Sequence, residues 1–347
     1  MDMRGQHTRN EILSQPEAWT ATLDTLSAQM GVIGDVFRSG RYETIVFTGC
    51  GSTYYLSLAA AALLREIAGV PSWGLPASEI WLRRRGALPL NRRTLLVAVS
   101  RSGETTETVR ACETFLQEMD PGDLVTLSCY PGRPLTGLGG LNLILPAGQE
   151  QSIAQTRAFT CLYLATVVLA GVWSGGRGLL DELSALPQIA RRLMAEEAER
   201  TRRLAAEAAF ERFYFLGSGP LYGLACELSL KMKEMSLSHS EAFHFLEFRH
   251  GPQSMVNPQT LVVGLLSETA YAPEQAVLEQ MRARGAGILS IGESSTDVAF
   301  ASGVREALRG ALYLPVGQLL GYERAMSRGL DPDHPNNLSA VVTLDVT

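Results

Sequence analysis

The chain has 347 residues, 46% of them hydrophobic, enough to bury two cores of ordinary size. A formal net charge of −6 argues against a nucleic-acid surface, which normally shows as a basic face. Five cysteines (Cys50, Cys112, Cys129, Cys161 and Cys226) are scattered without C-x-x-C spacing, which points away from a disulfide framework or a zinc site and toward a reducing cytoplasm.

The polar N-terminus shows no signal peptide, and residues 1–40 read as a helical lead-in. TIVFTGC (44–50) and TLLVAVS (94–100) are β-branched apolar runs, each ending in a small-residue turn and followed by a helical stretch. DLVTLSC (123–129) and LNLILP (141–146) read as further strands. The longest apolar run, Ala158–Trp173, is shorter than the ~20 residues a bilayer requires and predicts a buried helix, not a membrane segment. From Ser152 to about Ala208 the pattern is helical, and the charged amphipathic segment 190–208 predicts a bridge between lobes.

The pattern then restarts. RFYFLGSGP (212–220) is a strand and turn, Leu221–Met235 a helix, and LVVGLL (261–266) and GILSIG (287–292) are strands. The fold class is therefore α/β: two tandem lobes, each a parallel sheet sandwiched by helices. The boundaries expected are 41–185 for the first lobe, 186–210 for a helical linker and 211–347 for the second lobe. Thr48–Ser52 and Leu216–Pro220 occupy the same place in each half, but Tyr54 and Tyr222 replace the third glycine of a dinucleotide fingerprint.

Two hydroxyl-rich turns of the first lobe, Cys50-Gly51-Ser52-Thr53 and Ser100-Arg101-Ser102-Gly103-Glu104-Thr105, follow strands and open helices. Free N–H groups at a helix start, neutral hydroxyl donors and glycine's permissive backbone suit an anion such as a phosphate. An N-capping role alone would account for one such turn but less readily for two.

All but two of the 30 basic residues are arginine, so Lys231 and Lys233 are candidates for places that need a titratable amine, although two lysines must lie somewhere. On the helix 221–235, Leu221, Leu224, Leu228, Met232 and Met235 form an apolar stripe. Glu227, Lys231 and Glu234 flank it at spacings of four and three, and Lys233 falls on the solvated side. A plain salt-bridge ladder would share this spacing, but charge beside a core is costly unless paired or used. His239, His244 and His250 follow within SHSEAFHFLEFRHGP, without H-E-x-x-H or a cysteine to complete a metal cage. His250-Gly251-Pro252 presents an imidazole at a stiff bend, suited to proton transfer at a sugar ring oxygen.

Together GCGSTYY, VSRSGETTET, AGQEQSIAQTRAFT, ELSLKMKEMSLSHSEAFHFLEFRHGP and RGLDPDHPNNLSAVVTLD resemble the sugar-isomerase (SIS) family, in particular the isomerase half of glucosamine-6-phosphate synthase and its stand-alone relatives. The resemblance implies flavodoxin-like lobes and a cytoplasmic homodimer whose site takes the histidine of the HGP turn from the other copy. Its substrate would be a sugar phosphate, with no cofactor, metal, nucleic acid or membrane involved.

The resemblance also implies roles. Glu234 matches the glutamate that moves a proton between C1 and C2, Lys231 the lysine beside it, and His250 the ring-opening histidine. Cys50, Gly51, Ser52, Thr53, Ser100, Arg101, Ser102, Thr105, Ile153, Gln155 and Glu227 match the substrate-binding set.

The departures narrow the function. Arg101 stands where the synthase has glutamine, Gln155 where it has serine, and Ala340 where a lysine forms an imine with the ketose. Alanine has no amine for that chemistry. The sequence also shows no glutaminase domain and therefore no built-in ammonia source. The expected reaction is glucosamine 6-phosphate to fructose 6-phosphate and ammonia. The alternatives are a non-catalytic phosphosugar sensor and a deglycase of a sugar-phosphate–amino acid adduct. Ser78–Leu90 and Thr296–Gly310 are candidate specificity loops.

Overall fold

The computed structural model describes residues 4–88, 91–119, 122–176 and 178–344. In chain order, α1 (Gln6–Leu13), α2 (Gln15–Ser27) and α3 (Met30–Gly40) precede β1 (Thr44–Gly49), α4 (Ser52–Ala68), β2 (Ser72–Pro76) and α5 (Ala77–Ala87). Then come β3 (Thr94–Val99), α6 (Thr106–Glu118), β4 (Gly122–Ser128), β5 (Leu141–Ile144), α7 (Arg157–Trp173) and α8 (Leu179–Leu183). The remainder runs α9 (Leu186–Ala206), β6 (Arg212–Leu216), α10 (Pro220–Ser236), β7 (His239–Phe243), β8 (Thr260–Leu265), α11 (Tyr271–Ala283), β9 (Gly287–Gly292), β10 (Val298–Ala299) and α12 (Leu314–Ser327).

The chain forms two compact units. The N-terminal unit comprises Glu17–Glu150, Arg157–Ser184 and Ser339–Thr347. Its sheet is parallel with order β2-β1-β3-β4-β5, and every residue of β1 and β3 is buried, as for strands covered on both faces. Val46, Leu96, Ile80, Ala111 and Phe115 pack together in its core. Nearly all of α7 is enclosed by protein, which is why its apolar face runs all the way round. Among the described residues no helix is long and apolar enough to cross a membrane.

The edge strand β2 carries glycine and proline, both poor strand formers, and so left no strand signal in the sequence. The stretch expected as a specificity loop from Ser78 is helix α5 instead, with Ala77 and Ile80 buried and Glu79 in its first turn. Pro89 and Leu90 of that stretch lie outside the described residues.

The C-terminal unit comprises Met1–Pro16, Gln151–Thr156 and Ala185–Leu338. Its sheet order, read from the far edge, is β7-β6-β8-β9-β10, the same succession as in the N-terminal unit. The internal repeat expected from the two small-residue turns is therefore a repeat of topology. The start of the lead-in belongs to this unit because Asp333 accepts from the His7 and Thr8 N–H groups at 3.0 and 2.7 Å and so caps α1. At the other end, the Arg324 guanidinium of α12 caps the end of α9 by donating to the Ala205 and Glu207 carbonyls, both at 2.9 Å.

Candidate functional site

In the N-terminal unit β1 and β3 are neighbours, so the turns after them open side by side at the carboxyl edge of the sheet. In the first turn Gly51 has φ 55° and ψ −121°, a conformation closed to residues with a Cβ. The Thr53 hydroxyl closes the turn, accepting from the Cys50 N–H and donating to the Cys50 carbonyl, both at 2.9 Å. Gly49 makes room for it: a Cβ there would lie 2.4 Å from Thr53 Oγ1 and 2.8 Å from the Thr53 carbonyl carbon. Burial pushes the half-enclosed Cys50 thiol up, which keeps it a neutral wall of the turn instead of a nucleophile.

The second turn is organised by its own hydroxyls. Ser100 Oγ accepts from Gly103 N at 3.1 Å and lies 3.4 Å from Thr105 Oγ1, while Ser102 Oγ accepts from Glu104 N at 3.2 Å. Gly103 takes φ 70°. Arg101 is enclosed: its guanidinium lies 3.2 Å from Glu150 Oε2 and donates to the Ala340 carbonyl at 3.1 Å. The pair of turns thus presents hydroxyls, glycines and a neutralised charge pair, a lining that suits a phosphate.

The same topological position in the C-terminal unit, the turn between β8 and α11, is already filled. The Glu306 carboxylate accepts from Glu268 N at 2.9 Å, Thr269 N at 3.2 Å and Thr269 Oγ1 at 2.8 Å. An internal carboxylate therefore takes the N–H groups of the turn just before that helix, and Glu268 and Glu293 add negative charge around the buried Arg309. Glu306 lies within Thr296–Gly310, a stretch whose role was opaque in the sequence because its partners are some forty residues upstream.

The C-terminal unit carries a row of ionisable side chains on α10. All five residues of the expected apolar stripe on α10 are buried, but enclosure extends beyond them. Lys231 is fully buried between Glu227 and Glu234; Glu227 Oε1 lies 3.4 Å from its amine, and Glu234 accepts a hydrogen bond from it. Glu227 has no exposed surface whereas the Glu234 side chain keeps 19%. Of the three, Glu234 is the one that can meet a solute, while Glu227 faces the lysine. Lys233 lies exposed on the other side of the helix and donates to Ser229 Oγ at 3.1 Å.

His250 is exposed at the end of a short helical turn, followed by Gly251 at φ 125° and Pro252, a bend that fixes the backbone beneath the imidazole. His244 stacks on Tyr222 with ring centroids 3.8 Å apart, and His239 lies in β7, an edge strand the histidine-rich sequence did not announce. Among the described residues no cluster of three or more His, Cys, Asp or Glu side chains is arranged to hold a metal. Ile153 and Gln155 lie in the Gln151–Thr156 segment of this unit, where Ile153 N donates to the Asp333 carbonyl at 3.2 Å. Gln155 Oε1 is buried and accepts no hydrogen bond from the described residues, an acceptor that a ligand donor would satisfy. Glu150, the buried partner of Arg101, lies within the motif AGQEQSIAQTRAFT, but nothing in the sequence announced the pairing.

A family model described as "SIS domain" matches residues 41–171 and 209–306. Glutamine–fructose-6-phosphate aminotransferase [isomerizing] of Methanothermobacter thermautotrophicus is 30% identical over 346 residues, covering 96% of this chain and 57% of the relative. The enzyme of the same name from Gloeobacter violaceus is 32% identical over 363 residues, covering 96% of the chain and 58% of the relative. The chain thus spans a little over half the length of these curated relatives. Among solved structures, glucosamine-6-phosphate deaminase from Thermotoga maritima superposes with a TM-score of 0.78 at 26% identity, covering 93% of this chain and all of that one. Tagatose-6-phosphate ketose/aldose isomerase from Escherichia coli shares the fold, with a TM-score of 0.85 at 22% identity over 95% of this chain and 97% of that one.

Proposed function

Because the chain belongs to the SIS domain family, we propose that it is a phosphosugar isomerase of the deaminating type, converting glucosamine 6-phosphate and water to fructose 6-phosphate and ammonia. The observation that carries this reading is the pair of hydroxyl-lined turns on the adjacent strands β1 and β3, with Gly51 and Gly103 at positive φ. The name of the Thermotoga maritima relative supports the choice of substrate. Ala340 supports a route without a covalent ketose imine on the tail.

The chemistry then runs as proton transfers. The turns bind the phosphate, whose binding energy orients carbons remote from it. His250 assists opening of the pyranose ring. Glu234 takes the proton from C2, giving an enolamine, and returns a proton to C1, giving the C2 imine of fructose 6-phosphate. Water adds to that imine, and the C–N bond breaks to leave the ketone and ammonia. Lys231, held between Glu227 and Glu234, keeps the Glu234 carboxylate in one place for its work as a base. A deglycase would use the same groups, and the Glu234–Lys231 pair is what a sensor would not need.

The test is production of ammonia and fructose 6-phosphate from glucosamine 6-phosphate by the wild type and by Glu234→Gln. Turnover in the wild type and a loss of about 10²–10⁴-fold in the variant, the range for a general base, is expected. Equal turnover in both would remove Glu234 from the reaction.

A further inference from the structure

Residues 339–344 lie on the N-terminal unit with little apolar burial to hold them. Val342 and Leu344 are 56% and 55% exposed, so the segment is kept in place by polar contacts. Val342 O accepts from Thr106 N at 3.5 Å, and Leu344 N donates to Thr106 Oγ1 at 3.1 Å, both at the first residue of α6, directly after the phosphate turn. The remaining contact carries charge: Arg101, within that turn, donates to the Ala340 carbonyl.

Arg101 can do this because its charge is already compensated. Its side chain is 7% exposed and that of Glu150 not at all, an arrangement that requires pairing. Glu150 is fixed in turn, since its Oε1 accepts from Ala158 N at 3.1 Å in the first turn of α7. A planar guanidinium can serve the carboxylate through one nitrogen and the tail carbonyl through another. The two departures noted at Arg101 and Ala340 therefore meet in one hydrogen bond.

We propose that Arg101 is a positioning residue which, braced by Glu150, holds the main chain of residues 339–344 against the start of α6, beside the phosphate turn. The phosphate part rests on the proposed function; the clamp itself does not. The segment is captured through its backbone, so an alanine suffices at position 340, and capture is coupled to the turn because the same arginine belongs to both.

The test measures amide hydrogen exchange of ligand-free, full-length protein at Thr106 and Leu344. Arg101→Gln/Glu150→Gln removes both charges together and so avoids leaving one buried alone. Exchange at both amides is expected to quicken about tenfold or more, the factor one lost charge-assisted hydrogen bond supports. Arg101→Lys should fall between the two. A chain ended at Leu338 keeps the charge pair and loses the segment. It should free the Thr106 amide to the same extent, and combining truncation with the double variant should add nothing further. In turnover assays both changes should raise KM for glucosamine 6-phosphate. Wild-type exchange at Thr106 and Leu344 in the double variant, or additive effects with truncation, would overturn the clamp. Since exchange is read without substrate, an absence of turnover would count against the reaction and not against Arg101.

Discussion

Lys231 is sealed from solvent with a carboxylate on either side, and this enclosure fixes what it can do. It cannot reach a substrate first; it can hold Glu234. Replacing it with methionine would leave Glu227 and Glu234 without their cation in a low-dielectric environment, which costs about 3–5 kcal/mol when one partner of a buried pair is removed. The denaturation midpoint of Lys231→Met should drop accordingly, and Lys231→Met/Glu227→Gln should recover part of the loss. An unchanged midpoint in the single variant would mean that the pair is not ionised. Lys231 stood out in the sequence because lysine is so rare here and because its spacing to two glutamates is helical. The full enclosure of Glu227 did not, since it depends on packing that the helical spacing does not show. Arg101 and Ala340, 239 residues apart, share a hydrogen bond that no local pattern announces.

Among the elements, the strands that could be read were apolar runs rich in Leu, Ile and Val, the edge strand β5 among them. β2 and β7 were missed because SWGLP and HSEAF, with their glycine, proline and polar residues, carry no such run. The β1–α4 turn depends on a residue that bears no chemistry. Gly49→Ala would drive a methyl group against the Thr53 main chain, so the turn must move. Affinity for fructose 6-phosphate should fall while the α10 triad is untouched; retained affinity would show that the turn can shift without cost. The stretch after α10 makes a pH-dependent contribution. Desolvation pushes the His244 imidazole, stacked on Tyr222, down from its usual value, with Glu247 opposing less strongly. The unfolded chain therefore takes up the proton first, near pH ~6.5, and stability declines as pH falls from there toward the folded-state value. His244→Phe keeps the stacked ring and should flatten that decline between about pH 7.5 and 5 in thermal melts. Identical slopes would assign the pH response elsewhere.

At the scale of the whole molecule, tandem lobes of one topology were legible because strand–turn–helix units recur at matching places in each half. What could not be read is that the two halves have diverged in charge. The N-terminal turn keeps Arg101 against Glu150, whereas the C-terminal turn carries Glu268 against Arg309 and is filled by Glu306. One phosphosugar per chain is the expected calorimetric stoichiometry, and two would contradict the assignment. The central claim, that this chain moves a proton between C2 and C1 of a sugar phosphate through Glu234, is tested most directly by turning over glucosamine 6-phosphate in D₂O. The account predicts fructose 6-phosphate with deuterium at C1, and no labelled product from Glu234→Gln even though that variant still binds the sugar phosphate. Wild-type protein that binds the sugar phosphate but never labels or converts it would contradict the claim and leave a binding protein in its place.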